Sequence, residues 1–179
     1  MLDGVSLTGK RRYLLLSLLV VVLDQWTKWL VEAHLPLHGR WPLIDGMLDF
    51  THLRNPGVAF GLLTELGLRG GWLLSLASGV ALLAVLLYFS LLPASHAGTL
   101  AGLALTMGGA VGNLLDRVAT GAVTDFVDAY LRLGDAFHHW PAFNLADSAI
   151  TAGIVLMLVD AVRHRRHPPA PEAAEASGA

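Results

Sequence analysis

The sequence predicts an all-α integral membrane protein, with four transmembrane helices and a small extracytoplasmic β-sheet element. Three observations carry that prediction. Of 179 residues, 54% are hydrophobic and only 15% are charged. With a mean hydropathy of +0.57, this is the composition of a membrane protein. Uncharged runs long enough to cross a hydrocarbon core recur along the chain. The polar residues that do enter apolar territory are crowded, above all between Gly108 and Asp128, where Asn113, Asp116, Arg117, Asp125 and Asp128 fall within sixteen residues. An ionised side chain inside a membrane helix costs roughly 2.5–3.5 kcal/mol on insertion scales, so such a cluster points to a site. The length suits one membrane-embedded domain, 1–166, followed by a Pro/Ala-rich tail, 167–179, expected to be disordered. No basic stripe is interleaved with aromatics, which argues against nucleic acid as a partner. Cysteine is absent, which removes disulfides, thiolate metal sites and a cysteine nucleophile together.

The elements follow in order. Lys10, Arg11 and Arg12 precede an apolar run that resembles a signal peptide. No small-residue cleavage site follows, and the apolar character continues, so 13–31 is read as a retained first span bearing Asp24 and Lys28. Turn signals at Pro36, Gly39, Pro42, Gly46 and Pro56-Gly57 mark 32–70 as extramembrane, with 47–53 and 58–63 suited to short strands. The second span is 71–92, 22 residues without a charge. A tight connection at 93–96 leads to a third span at 97–115, with Asp116-Arg117 as its exit. Residues 118–142 read as a second irregular stretch, broken by Gly121, Gly134 and Pro141. The fourth span is 143–162.

Basic residues orient the four spans. Lys10, Arg11 and Arg12 flank the first, and Arg163, Arg165 and Arg166 flank the last. An even number of spans puts both clusters on one side, which the positive-inside rule makes cytoplasmic. Asp24, Lys28, Asn55, Asn113, Asp116, Asp125, Asn144 and Asp147 then all gather near the outer face.

Each candidate has a plainer reading beside the chemical one. Asp24 and Lys28 share a helix face at i,i+4 and can simply neutralise each other. Asp116 can pair locally with Arg117, or Arg117 can hold a substrate carbonyl or phosphate. Asp125 and Asp147 lie 22 residues apart, so a loop must fold back to bring them together. Two carboxylates that do meet in a desolvated place can share one proton, activate a water and protonate a carbonyl or leaving amine. On spacing alone the plainer reading stands first: Asp147 caps the fourth helix and Asp125 sits in a turn. Ser148 with Lys28 could form a different hydrolase. The histidines show no metal-ligand spacing, since His138 and His139 are adjacent and point apart on any regular element. Gly102, Gly108, Gly109 and Gly112 read as close helix contacts. Trp26, Trp29, Trp41 and Trp72 read as interfacial anchors.

Five blocks of the chain, DQWTKWLV at 24–31, RNPGVAFGLL at 54–63, GGAVGNLLDR at 108–117, GAVTDFVD at 121–128 and FNLADSAI at 143–150, resemble in order and spacing the bacterial lipoprotein signal peptidases, or signal peptidase II. The resemblance implies a four-helix inner-membrane aspartic endopeptidase that cleaves prolipoproteins before a diacylglyceryl-modified cysteine. It implies Asp125 and Asp147 as the catalytic pair and Asn55, Asn113, Arg117 and Asn144 as groove residues. Asp24, Lys28 and Asp116 match supporting positions. It implies no metal and no cofactor. The partners are then the lipidated prolipoprotein and the surrounding membrane lipids; the absence of strong pairing motifs in the sequence makes a monomer the expectation. Both termini would be cytoplasmic and the active site would lie at the outer face. The segment 129–142 matches no block and is read as a mobile outer loop. The alternative from another class is a small ion or proton carrier relaying through Asp24, Lys28, Asp116 and Asp147, which requires ionisable groups across the whole membrane.

Overall fold

The computed structural model describes residues 7–57, 71–133 and 136–166. Four helices, α1 (Leu7–His34), α2 (Gly71–Leu91), α3 (Ala97–Thr120) and α4 (Leu145–Arg166), are joined by strands β1 (Arg40–Ile44), β2 (Leu48–Asn55), β3 (Val123–Leu133) and β4 (Ala136–His139). Each helix contains a segment long and apolar enough to cross a membrane. The four strands form one antiparallel sheet in sequence order. The expected fold class, a helical membrane protein with a small sheet, is the observed one.

The central helix is α3, packed against α1, α2 and α4. Its glycines make this possible by removing side chains where backbones meet. A Cβ on Gly102 would strike the carbonyl of Gly153, one on Gly109 the carbonyl of Ala146, and one on Gly108 the carbonyl of Ser17. A Cβ on Gly112 would strike the Asp24 carboxylate. Tyr13, Phe89, Leu100, Leu103, Ala104 and Met107 fill the core between α1, α2 and α3.

Helix ends leave unpaired backbone groups, which are costly away from water. Here neighbouring helices supply the partners. Buried Lys10 of α1 donates to the carbonyls of Phe89 and Ser90, both at 2.8 Å, at the end of α2. Asp160 of α4 accepts from the backbone N–H and hydroxyl of Thr99 in the first turn of α3. At the opposite end of the bundle, Asp24 of α1 accepts from the N–H of Ala146 at the start of α4 (2.9 Å).

Several boundaries and one segment differ from expectation: the first helix runs beyond 13–31 at both ends, from Leu7 to His34. The third helix does not end at Asp116-Arg117 but runs to Thr120, closed by Gly121 in the left-handed conformation (φ 78°). Its last turn continues because Asp116 is neutralised rather than solvated. The fourth helix starts at Leu145 rather than Phe143. The stretch 118–142 is not irregular: it holds β3 and β4, an antiparallel pair with Tyr130 opposite His139. Asp125 and Asp128 interrupt the apolar alternation that would have marked β3, because both are buried against polar partners. Strand β2 corresponds to the expected 47–53 segment, and Pro42 lies in edge strand β1, where a missing N–H is tolerated. The strand expected at 58–63, the side chain of Trp72 and the tail 167–179 lie outside the described residues.

Candidate active site

The site forms where the sheet meets the C-terminal ends of α1 and α3 and the N-terminal end of α4. Strand β3 carries Asp125, opposite Leu53 of β2. The chain then turns back through β4 and stays on β3 beyond it. Trp140 N–H donates to the Ala129 carbonyl (2.8 Å), and Phe143 N–H to the Val127 carbonyl (3.0 Å). This ladder delivers Asn144 beside Asp125 and starts α4 there. The fold-back required between Asp125 and Asp147 is therefore a β-hairpin return.

Asn144 caps α4. Its Oδ1 accepts from the Asp147 N–H (3.0 Å), and Asp147 Oδ2 accepts in return from the Asn144 N–H (3.2 Å). This is a capping box, so Asp147 does have the capping role that spacing suggested. It has a second contact as well, because Asn113 Nδ2 donates to Asp147 Oδ1 (2.8 Å). Asp125 is 2% exposed and is no turn residue. Its Oδ2 accepts from Asn55 Nδ2 and its Oδ1 from Asn144 Nδ2, each at 2.8 Å. Asn144 Nδ2 also donates to Asn113 Oδ1 (3.1 Å). Two carboxamides thus link the two acids.

Beneath them lies a buried charge cluster. Lys28 Nζ sits 2.8 Å from Asp24 Oδ2, 2.8 Å from Asp116 Oδ2 and 2.9 Å from Asn113 Oδ1. All three ammonium donors are engaged. That leaves Lys28 no capacity to serve Ser148, whose hydroxyl donates to the Asn144 carbonyl instead (3.0 Å). Asp116 pairs with Lys28 rather than with Arg117. The half-buried Arg117 donates at 3.4 Å to the Asn113 carbonyl, and its Nε is buried without a partner among the described residues.

Sequence reasoning missed Gln25 and Thr124. Gln25 Nε2 bridges Asp24 Oδ2 (3.2 Å) and Asp116 Oδ1 (2.9 Å). The N–H of Thr124 donates to Asp116 Oδ2 (3.1 Å) and its hydroxyl to Glu32 (2.6 Å). Gln25 could have been suspected as an amide beside Asp24 in a membrane helix, whereas a backbone donor such as Thr124 leaves no mark in a sequence. Asp128 also has a clear structural task. It accepts from Arg40 of β1 (3.0 Å) and from His139 of β4 (2.8 Å), tying both edge strands to β3.

Burial pushes the Asp125 carboxyl up from 3.8 to about 6. The Asn55 carboxamide opposes the shift, and the negative charge of Asp147 reinforces it. A carboxyl held there can keep or release a proton near neutrality, which suits general acid–base work.

Fold and site together define a multi-pass membrane protein with its buried acids gathered at one end of the bundle. Comparison with known proteins narrows this class. The family described as signal peptidase (SPase) II matches residues 16–163. A lipoprotein signal peptidase of Syntrophus aciditrophicus is 40% identical over 156 residues, covering 86% of this chain and 94% of that protein. One of Geobacter sulfurreducens is 43% identical over 146 residues, covering 82% and 88%. Among solved structures, a bacterial membrane enzyme determined by the in meso method at 1.9 Å superposes with a TM-score of 0.73 at 28% identity, covering 85% of this chain and 93% of that one. The chain belongs to the signal peptidase II family, proteases of lipoprotein processing.

Proposed function

We propose that this protein is an aspartic endopeptidase that removes the signal peptide from diacylglyceryl-modified prolipoproteins, cutting before the lipidated cysteine. One observation carries the reading. The carboxyls of Asp125 and Asp147, 22 residues apart in sequence, are both held by Asn144, the first by its carboxamide and the second by its backbone N–H.

In this mechanism the two carboxyls share a proton and hold a water between them. The carboxylate takes a proton from the water as its oxygen attacks the scissile carbonyl, and the acid protonates the carbonyl oxygen. The tetrahedral intermediate then collapses as the amine of the lipidated cysteine takes a proton and leaves. Asn55, Asn113 and Asn144 hold the acids in place, and Arg117, whose Nε is without a partner among the described residues, faces the substrate. The enzyme works as a monomer in the inner membrane, with both termini cytoplasmic and the site at the outer face. Acyl chains of the substrate reach it laterally from the bilayer lipids.

A relay across the membrane finds no support in the arrangement. Asp24, Lys28, Asp116 and Asp147 belong to one network at one end, and Asp160 at the other end is engaged with Thr99. The decisive experiment is cleavage of a diacylglyceryl-modified prolipoprotein by purified wild type, Asp125→Asn and Asp147→Asn, each shown to be folded. Activity should be lost in both variants and should withstand a metal chelator in the wild type. Normal processing by either variant would end the aspartic reading.

A further inference from the structure

Lys28 touches neither Asp125 nor Asp147 with its three donors, yet the hydrogen-bond directions of the site start from it. A carboxamide has two unlike ends, an oxygen that accepts and an NH2 that donates, and the two ends are nearly the same size. Which end of Asn113 faces which neighbour is therefore a chemical choice, not a steric one. An ammonium has donors only. The Asn113 atom 2.9 Å from Lys28 Nζ must be the oxygen, which leaves the NH2 to face Asp147 Oδ1 at 2.8 Å. The same oxygen accepts from Asn144 Nδ2 (3.1 Å). Asn144 is thereby fixed with its NH2 toward Asp125 (2.8 Å) and its oxygen toward the Asp147 N–H (3.0 Å). Lys28 is itself held at 2.8 Å by Asp24 and Asp116 and is 3% exposed, so its position does not drift.

We propose that Lys28 is a positioning residue for the two candidate catalytic acids: by fixing the Asn113 carboxamide oxygen inward it makes Asn113 a donor to Asp147 and Asn144 a donor to Asp125. This rests on reading Asp125 and Asp147 as the catalytic pair. With the ammonium gone, the Asn113 oxygen keeps only the longer bond from Asn144, so the carboxamide loses its anchor and no longer holds the Asp147 carboxyl on its line.

The test is a mutant cycle on the full-length enzyme cleaving diacylglyceryl-modified prolipoprotein. Lys28→Met is combined with Asp116→Asn, so that the cluster of Asp24, Lys28 and Asp116 keeps its net charge. The double variant should stay folded and lose about 10²-fold in kcat, the scale of a misplaced catalytic group, with KM within about threefold. The triple variant that adds Asn113→Ala should be no slower than Asn113→Ala alone, because both changes remove one linkage. Multiplying losses, or a wild-type kcat in the double variant, would overturn the proposal. If the double variant does not fold, Asn113→Asp decides. It keeps an acceptor for Lys28 and Asn144 but presents oxygen to Asp147, so kcat should collapse, and a wild-type kcat refutes the positioning role. Failure of the underlying reading looks different: there Asp125→Asn or Asp147→Asn would still cleave.

Discussion

Burial raises the Asp125 carboxyl, the Asn55 and Asn144 carboxamides pull it back, and the balance rests at about 6 against an ordinary 3.8. The sign of its effect on stability follows. Between those values the folded chain binds a proton that the unfolded chain has lost, so this group's contribution to stability falls as pH rises through the window. Below it the contribution is fully present, and above about 6 it is gone. A carboxamide at this position does not titrate and would carry no such dependence. Asp125→Asn should therefore unfold at a higher temperature than wild type at about pH 7.5, and the advantage should vanish at about pH 4. Thermal unfolding in detergent at both values checks it, and an equal difference at both would contradict the assignment. The residues of this network were largely legible beforehand, because polar side chains in apolar segments are conspicuous. Their partners were not. Lys28 was expected to pair with Asp24 and does, but its bonds to Asp116 and Asn113 cross between helices, where no periodicity reports them.

At the scale of elements, the start of α4 does two jobs with one residue. Asn144 caps the helix through its oxygen and donates to Asp125 through its nitrogen. Substitution can separate these tasks. Serine is as good an N-cap as asparagine but has no NH2 that reaches Asp125 while capping. Asn144→Ser should thus keep near-wild-type stability yet lose cleavage, whereas Asn144→Ala should lose both, with the stability loss about 1 kcal/mol. Chemical unfolding alongside a cleavage assay distinguishes them, and an active Asn144→Ser enzyme would show that the donor to Asp125 is dispensable. The spans were readable because hydropathy over about 20 residues is a strong signal. Strand β3 was not, although Val, Thr, Phe and Tyr are strand formers. Asp125 and Asp128 look like loop residues until Asn55, Asn144, Arg40 and His139 arrive from other elements.

For the whole molecule, the two ends of the bundle are chemically unlike. One end carries the sheet and the buried acids. The other carries Lys10 on the end of α2, Asp160 on the start of α3, and the basic residues that flank α1 and α4. The exposed belt between them is apolar, with Leu15, Leu19, Val80, Leu83, Leu87 and Leu158 all turned outward, as a lipid-facing surface requires. This polarity, with the positive-inside rule, makes the insertion direction testable. The chain contains no cysteine, so single substitutions can be labelled without a background. Asp45→Cys lies in the turn between β1 and β2, and Ser95→Cys lies between α2 and α3 near the Lys10 end. A membrane-impermeant maleimide added to intact cells with the outer membrane permeabilised should label the Asp45→Cys protein and spare the Ser95→Cys protein. Disrupting the inner membrane should make both reactive. The reverse pattern would place the acids on the cytoplasmic side, where a signal peptide that has crossed the membrane could no longer be cut.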